Sequence, residues 1–107
     1  MRTIPHPRNP GPGVPESPPE SETKVRLWGY PIVFKFKENP CAYYPPHFHE
    51  RATTHYITRG QLELSFVDGE EKGHKKLNTG DRFDIPARQN VEITVGIDGC
   101  EYLVGSI

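Results

Sequence analysis

The stretch HFHERATTHYITRGQLEL, residues 47–64, decides how this chain folds. Residues 53–58, TTHYIT, are β-branched and aromatic in the manner of a strand, and Arg59-Gly60 interrupts them. Leu62, Leu64 and Phe66 then alternate with Gln61, Glu63 and Ser65, the two-residue period of a half-buried strand. The same period governs His47, His49 and His55. Residues of equal parity share a face of an extended chain, so His47 and His49 point the same way, and His55 joins them if no bulge intervenes.

Working outward, the pattern persists. Ile32, Phe34 and Phe36 alternate with Val33, Lys35 and Lys37, and Glu38-Asn39-Pro40 ends that strand. Extended structure resumes at residues 41–44, and Pro45-Pro46 marks an edge or kink before His47. Downstream, Asp68-Gly69 is a hairpin turn signal and residues 70–79 read as a charged turn. Gly80-Asp81 opens a strand carrying Phe83 and Ile85 that stops at Pro86. Val91, Ile93 and Val95 form another, and Asp98-Gly99 turns the chain into a last strand from Glu101 to Val104. No segment shows a helical period with caps. The expectation is an all-β sandwich or barrel over residues 24–107.

Residues 1–23 differ in kind, holding seven of the twelve prolines. They read as an extended proline-rich tail, and PESPP offers a weak motif for a partner that reads polyproline helices. With roughly 80 residues left for the fold, the core is thin, and a homodimer is expected. The formal net charge of −1 and the scattered basic residues exclude a nucleic-acid platform. No apolar run is long enough to span a bilayer, and no apolar segment near Met1 suggests a secretory signal, so a cytoplasmic location is expected. Cys41 and Cys100 have no metal-site spacing and read as free thiols. GxGxxG, GxxxxGK and GxSxG motifs are absent from the sequence.

Two stretches together resemble the cupin family, whose fold is a double-stranded β-helix, or jelly-roll barrel. Residues 47–64 are similar to the first cupin motif: a histidine pair (His47, His49), a glutamate some four residues on, and a glycine (Gly60) seven after that. Residues 80–93, GDRFDIPARQNVEI, are similar to the second, through Gly80, Asp81 and Pro86. The resemblance spans roughly residues 40–104. Two departures bear on function. The glutamate slot holds Thr53 and the second motif's histidine slot holds Val91, so only two of four family metal ligands carry over.

The resemblance implies a barrel pocket for a small organic molecule, commonly with a divalent metal (Zn, Fe, Ni, Mn or Cu) and dioxygenase, isomerase, lyase or cyclase chemistry. His47, His49 and His55 are the candidate metal ligands, with His55 making up the set. Tyr43 and His55 are the candidate catalytic pair, Tyr43 by shared parity with His47. Arg51 and Thr53 are candidates for substrate binding, Arg51 because a guanidinium matches a carboxylate in two-pronged fashion. Glu50 has the opposite parity and is expected to face away. The alternative is a metal-free pocket that binds a small molecule or performs acid–base chemistry.

Overall fold

A computed structural model describes residues 18–67 and 73–107 of the chain. The Asp68-Gly69 turn and most of the proline-rich tail lie outside them. Six antiparallel strands follow one helix: α1 (Pro18–Leu27), β1 (Ile32–Glu38), β2 (Tyr43–His47), β3 (Thr53–Phe66), β4 (His74–Asn78), β5 (Arg82–Ile85) and β6 (Val91–Ser106). Among the described residues no helix is long and apolar enough to cross a membrane.

Strands β3 and β6 form the spine. The first half of β3 and the second half of β6 pair from Thr53↔Ser106 to Gly60↔Cys100, and β5 and β1 flank them. The other halves pair from Leu62↔Val95 to Phe66↔Val91, flanked by β4 and β2. Two four-stranded layers thus share two long strands that bend together, which is the all-β jelly-roll expected from the sequence. The bend is a bulge. Between Gly60 and Leu62 one residue of β3 faces four of β6, the register shifts, and Gly60 and Gly99 take φ of 84° and 82°. Arg59-Gly60 and Asp98-Gly99, expected to interrupt strands, instead bend them without breaking them. Lys75 and Lys76, expected in a turn, lie in β4.

Alternation sorts each strand onto two faces. Ile57, Leu62, Leu64, Val91, Ile93, Val95, Tyr102 and Val104 point between the layers and form the main core. Tyr56 and Leu103 point outward and would be exposed, but Val25 of α1 and Tyr30 just beyond the helix cover them. This helix departs from the sequence expectation, and it crosses the boundary drawn at residue 23. Its prolines sit at its start, where a missing N–H costs nothing. Glu20 lies in its first turn and Lys24 and Arg26 in its last, the order that complements the helix dipole. Among its residues of described burial only Ser21 and Val25 are buried, so the apolar period is too sparse to read in sequence. It docks where β6 has no side chain: a Cβ on Gly105 would come within 2.5 Å of Val25 Cγ1.

Candidate functional site

The mouth of the barrel opens between β1 on one side and the β2–β3 crossover on the other. A cavity of about 510 Å³ lies there. Its apolar wall is Phe34, Phe36, Ile93 and Val104, and its polar groups come from Glu38, the three histidines, Arg51 and Thr53. Strand pairing explains the wall. Phe34 pairs with Val104 and Phe36 with Tyr102, so the inward face of β1 continues that of β6.

The expected histidines do converge. The His47 and His49 ring centres are 5.6 Å apart, those of His49 and His55 6.3 Å, and His55 stacks on Tyr102 at 5.7 Å. The three are graded in burial, His47 and His49 half-buried and His55 2% exposed. Burial drives the His55 pKa down to about 3, helped by the neighbouring His49 and His47, so this ring is neutral at physiological pH. Burial and then His47 lower the His49 pKa as well.

Fit to a metal depends on spacing and on the outward nitrogen of each ring. Three imidazoles around one ion at bonding distance place their ring centres roughly 4.5–5 Å apart. Both ring pairs here stand wider, at 5.6 and 6.3 Å, and among the described residues no three His, Cys, Asp or Glu side chains come together to hold an ion. His47 has the support a ligand needs: its Nδ1–H donates to the Pro45 carbonyl at 2.9 Å, leaving Nε2 free. His55 lacks it. Its Nδ1 is buried without a hydrogen-bond partner, so coordination through Nε2 would strand a buried N–H. As placed, the three residues do not fit a three-ligand centre.

The other expected residues divide. Thr53 is 3% exposed and lines the cavity, and its Oγ1 has no hydrogen-bond partner. Arg51 lines the cavity from its exposed side. Tyr43 does not reach it. Its hydroxyl donates to Glu92, which holds its pKa above the usual phenol value, and its ring is exposed outside the barrel. The register of β2 shifts between Tyr44 and His47, so the prolines reverse the parity and Tyr44 takes the inward place. Glu50 also lines the cavity, contrary to expectation, because residues 48–52 between β2 and β3 are not extended strand and alternation does not apply to them; there it pairs with Arg88 at 3.4 Å. Val91 is fully buried and pairs with His47 across β2 and β6, so the family's histidine slot is filled by core.

Sequence reasoning missed Glu38, Tyr44 and Tyr102. The Tyr44 hydroxyl donates to one Glu38 oxygen at 2.5 Å and that of Tyr102 to the other at 3.0 Å. Glu38 has the parity of Phe34 and Phe36, which could have placed it inside, but a glutamate ending a strand gives no signal of its own.

Comparison with known proteins agrees with this architecture. No curated protein matches the chain in sequence. Among solved structures, a single-residue variant of oxalate decarboxylase from Bacillus subtilis superposes with a TM-score of 0.63 at 22% identity, over 67% of this chain and 19% of that one. The formate complex of Lactobacillus farciminis oxalate decarboxylase gives 0.63 at 26% identity, over 69% and 22%. Drosophila melanogaster CENP-C, bound to CAL1, gives 0.65 at 14% identity, over 71% and 64%. The chain therefore spans about a fifth of the decarboxylases and less than two thirds of CENP-C. A family model described as Cupin matches residues 28–90, more than half of the length, with all of the first motif stretch and most of the second, and the chain belongs to the cupin family.

Proposed function

We propose that the barrel mouth is a binding site for a small organic molecule, held by an apolar wall and a few polar groups, with no metal required for binding. The observation that carries this reading is the cavity of about 510 Å³, whose lining joins an apolar wall of Phe34, Phe36, Ile93 and Val104 to a few polar side chains, His55 and Arg51 among them. Its size is that of ordinary small-molecule sites. His55 has a defined part. With Nδ1 lacking an acceptor, the proton belongs on Nε2, so the neutral ring offers the cavity a donor for a carbonyl or carboxylate oxygen. Arg51 adds a second donor for an anionic group at the exposed side.

One observation favours a second reading, a metal-dependent enzyme. His47 and His49 occupy two family ligand slots, and the His47–Pro45 bond orients a ring as ligands are oriented. A solved structure of the Bacillus subtilis decarboxylase carries Mn(II) centres. Fold likeness does not choose between them, since the neighbours include enzymes and a protein-bound chain.

The test is metal content by plasma mass spectrometry on untagged protein, before and after incubation with Mn, Fe, Ni and Zn, with thermal-shift screening of small organic compounds alongside. Less than about a tenth of an ion per chain, with compounds raising the melting temperature in EDTA, is the expected result. About one ion per chain, lost in His49→Ala with the fold intact, would replace it with the metal reading.

A further inference from the structure

The far end of the cavity from Arg51 has a chemistry of its own. Arg51 precedes Thr53, whose partner on β6 is Ser106, whereas Glu38 pairs with Cys100. Six residues of strand, about 20 Å, separate the two anchor points along the wall. At the Glu38 end the carboxylate comes from β1, Tyr44 from β2 and Tyr102 from β6, so the two hydrogen bonds tie both layers together around one negative charge. No lysine or arginine among the described residues neutralises it, since its bonds are to phenols. Each carboxylate oxygen accepts one phenol proton and keeps room for another donor.

Around that charge stand aromatic faces. Phe36 stacks on Tyr102 with ring centres 5.5 Å apart, Phe34 lies two residues along the same face of β1, and Tyr44 closes the other side. Phe34 and Phe36 are 54% and 40% exposed, large apolar rings left uncovered at a cavity wall. Ring faces carry negative potential, and with a carboxylate among them they attract a cation that is itself partly apolar. A small inorganic ion would gain little, because the rings cannot replace its water.

We infer that Glu38, with the rings of Phe34, Phe36, Tyr44 and Tyr102, forms a subsite for an organic ammonium group. The inference rests on the proposed small-molecule reading and names the class of ligand. The ammonium sits over the rings with its positive charge toward the Glu38 carboxylate, and the two tyrosine hydroxyls hold that carboxylate in place. Tyr44 and Tyr102 stay protonated because Glu38 accepts their hydrogen bonds and burial disfavours phenolate, so the subsite carries one negative charge.

The test uses choline and its neutral isostere 3,3-dimethylbutan-1-ol, titrated into the full chain in EDTA and followed by amide chemical shifts in two-dimensional NMR. Choline is expected to bind at least tenfold more tightly than the alcohol and to shift resonances of β1 and Tyr102. Glu38→Gln, which keeps the shape and one acceptor, should weaken choline at least tenfold and leave the alcohol unchanged. Phe36→Leu, which keeps the charge and both phenol donors and removes one ring face, should weaken choline severalfold and so guards against Glu38→Gln failing to fold. Equal affinity for the two compounds, with both bound in the cavity, would overturn the ammonium subsite and leave the small-molecule reading standing. Absence of cavity shifts with either compound, or with any compound of the thermal-shift screen, would overturn both.

Discussion

Acid should destabilise this fold chiefly through one residue. His55 is fully enclosed, stacked on Tyr102 and beside His49, and its pKa falls from 6.5 in the unfolded chain to about 3 in the folded one. The unfolded state therefore binds a proton that the folded state refuses. Stability is complete above the unfolded value and falls as pH drops through the window between the two. The ratio of the two binding polynomials gives a loss of about 1 kcal/mol at roughly pH 5.5 and about 3 kcal/mol at roughly pH 4.5, approaching about 5 kcal/mol at still lower pH. Against the ~5–15 kcal/mol of a typical domain this is a large share. Urea unfolding at these pH values, in EDTA, followed by the fluorescence of Trp28, measures it. That tryptophan lies edge-on to Tyr56 at 5.2 Å and reports the packing of α1 on the barrel. The control is His55→Asn, less stable at neutral pH but without the titrating ring. Asp84, whose carboxyl is held low chiefly by its bond to Arg82, titrates in both proteins and cancels. Wild type should lose about 3 kcal/mol more than the variant between neutral pH and roughly pH 4.5. Equal losses, within about 1 kcal/mol, would refute the burial of an uncharged His55 as the source of acid sensitivity.

Two further outcomes follow from local geometry. Gly60→Ala should cost about 3 kcal/mol or more, because φ is 84° and the new Cβ would lie 2.2 Å from the Gly99 carbonyl oxygen, where neither backbone can yield. Gly80→Ala, with φ 93° but open space around it, should cost only about 1 kcal/mol, and melting temperatures compare the two; equal shifts would disprove the steric account of the bend. Titration with an aromatic disulfide should find one fast thiol per chain, since Cys41 is exposed while burial, with Glu38 and Glu101, pushes the Cys100 thiol up to about 12. Two fast thiols in the native protein would contradict that packing.

What the sequence revealed and what it concealed have physical reasons. Alternation is a property of each strand alone, so the inward sets of β1, β3 and β6 could be read directly, and with them His47, His49, His55 and Thr53. Bulges are pairing events between strands. The shift between Tyr44 and His47 depends on how β2 meets β6, and it exchanged Tyr43 for Tyr44, while Glu50 came inward in the non-strand segment that joins β2 to β3. The glycines of the bend were visible, but only the register shows that Gly60 and Gly99 turn two strands together without ending either. Helix α1 was hidden because its few buried residues match the bare stripe at Gly105 and do not set a period of their own.

The deeper consequence concerns where polarity has gone in this barrel. Val91 lies in the core cluster with Ile93, pairs with His47 on one side and Phe66 on the other, and is fully buried. An imidazole there would have to displace apolar packing and bring its own hydrogen-bond partner, so Val91→His alone would bear the cost of a buried polar ring before it could bind anything. Thr53 is likewise enclosed, next to strands that leave its hydroxyl unpaired. Two of the four positions that would surround an ion have thus been absorbed into the packing, while charge in the cavity lies elsewhere, on Glu38 under two phenols and on Arg51 and the Arg88-paired Glu50 at the opposite rim. On the proposed small-molecule reading, a pocket with its charges at its two ends and neutral groups at its centre would orient an extended organic molecule between them.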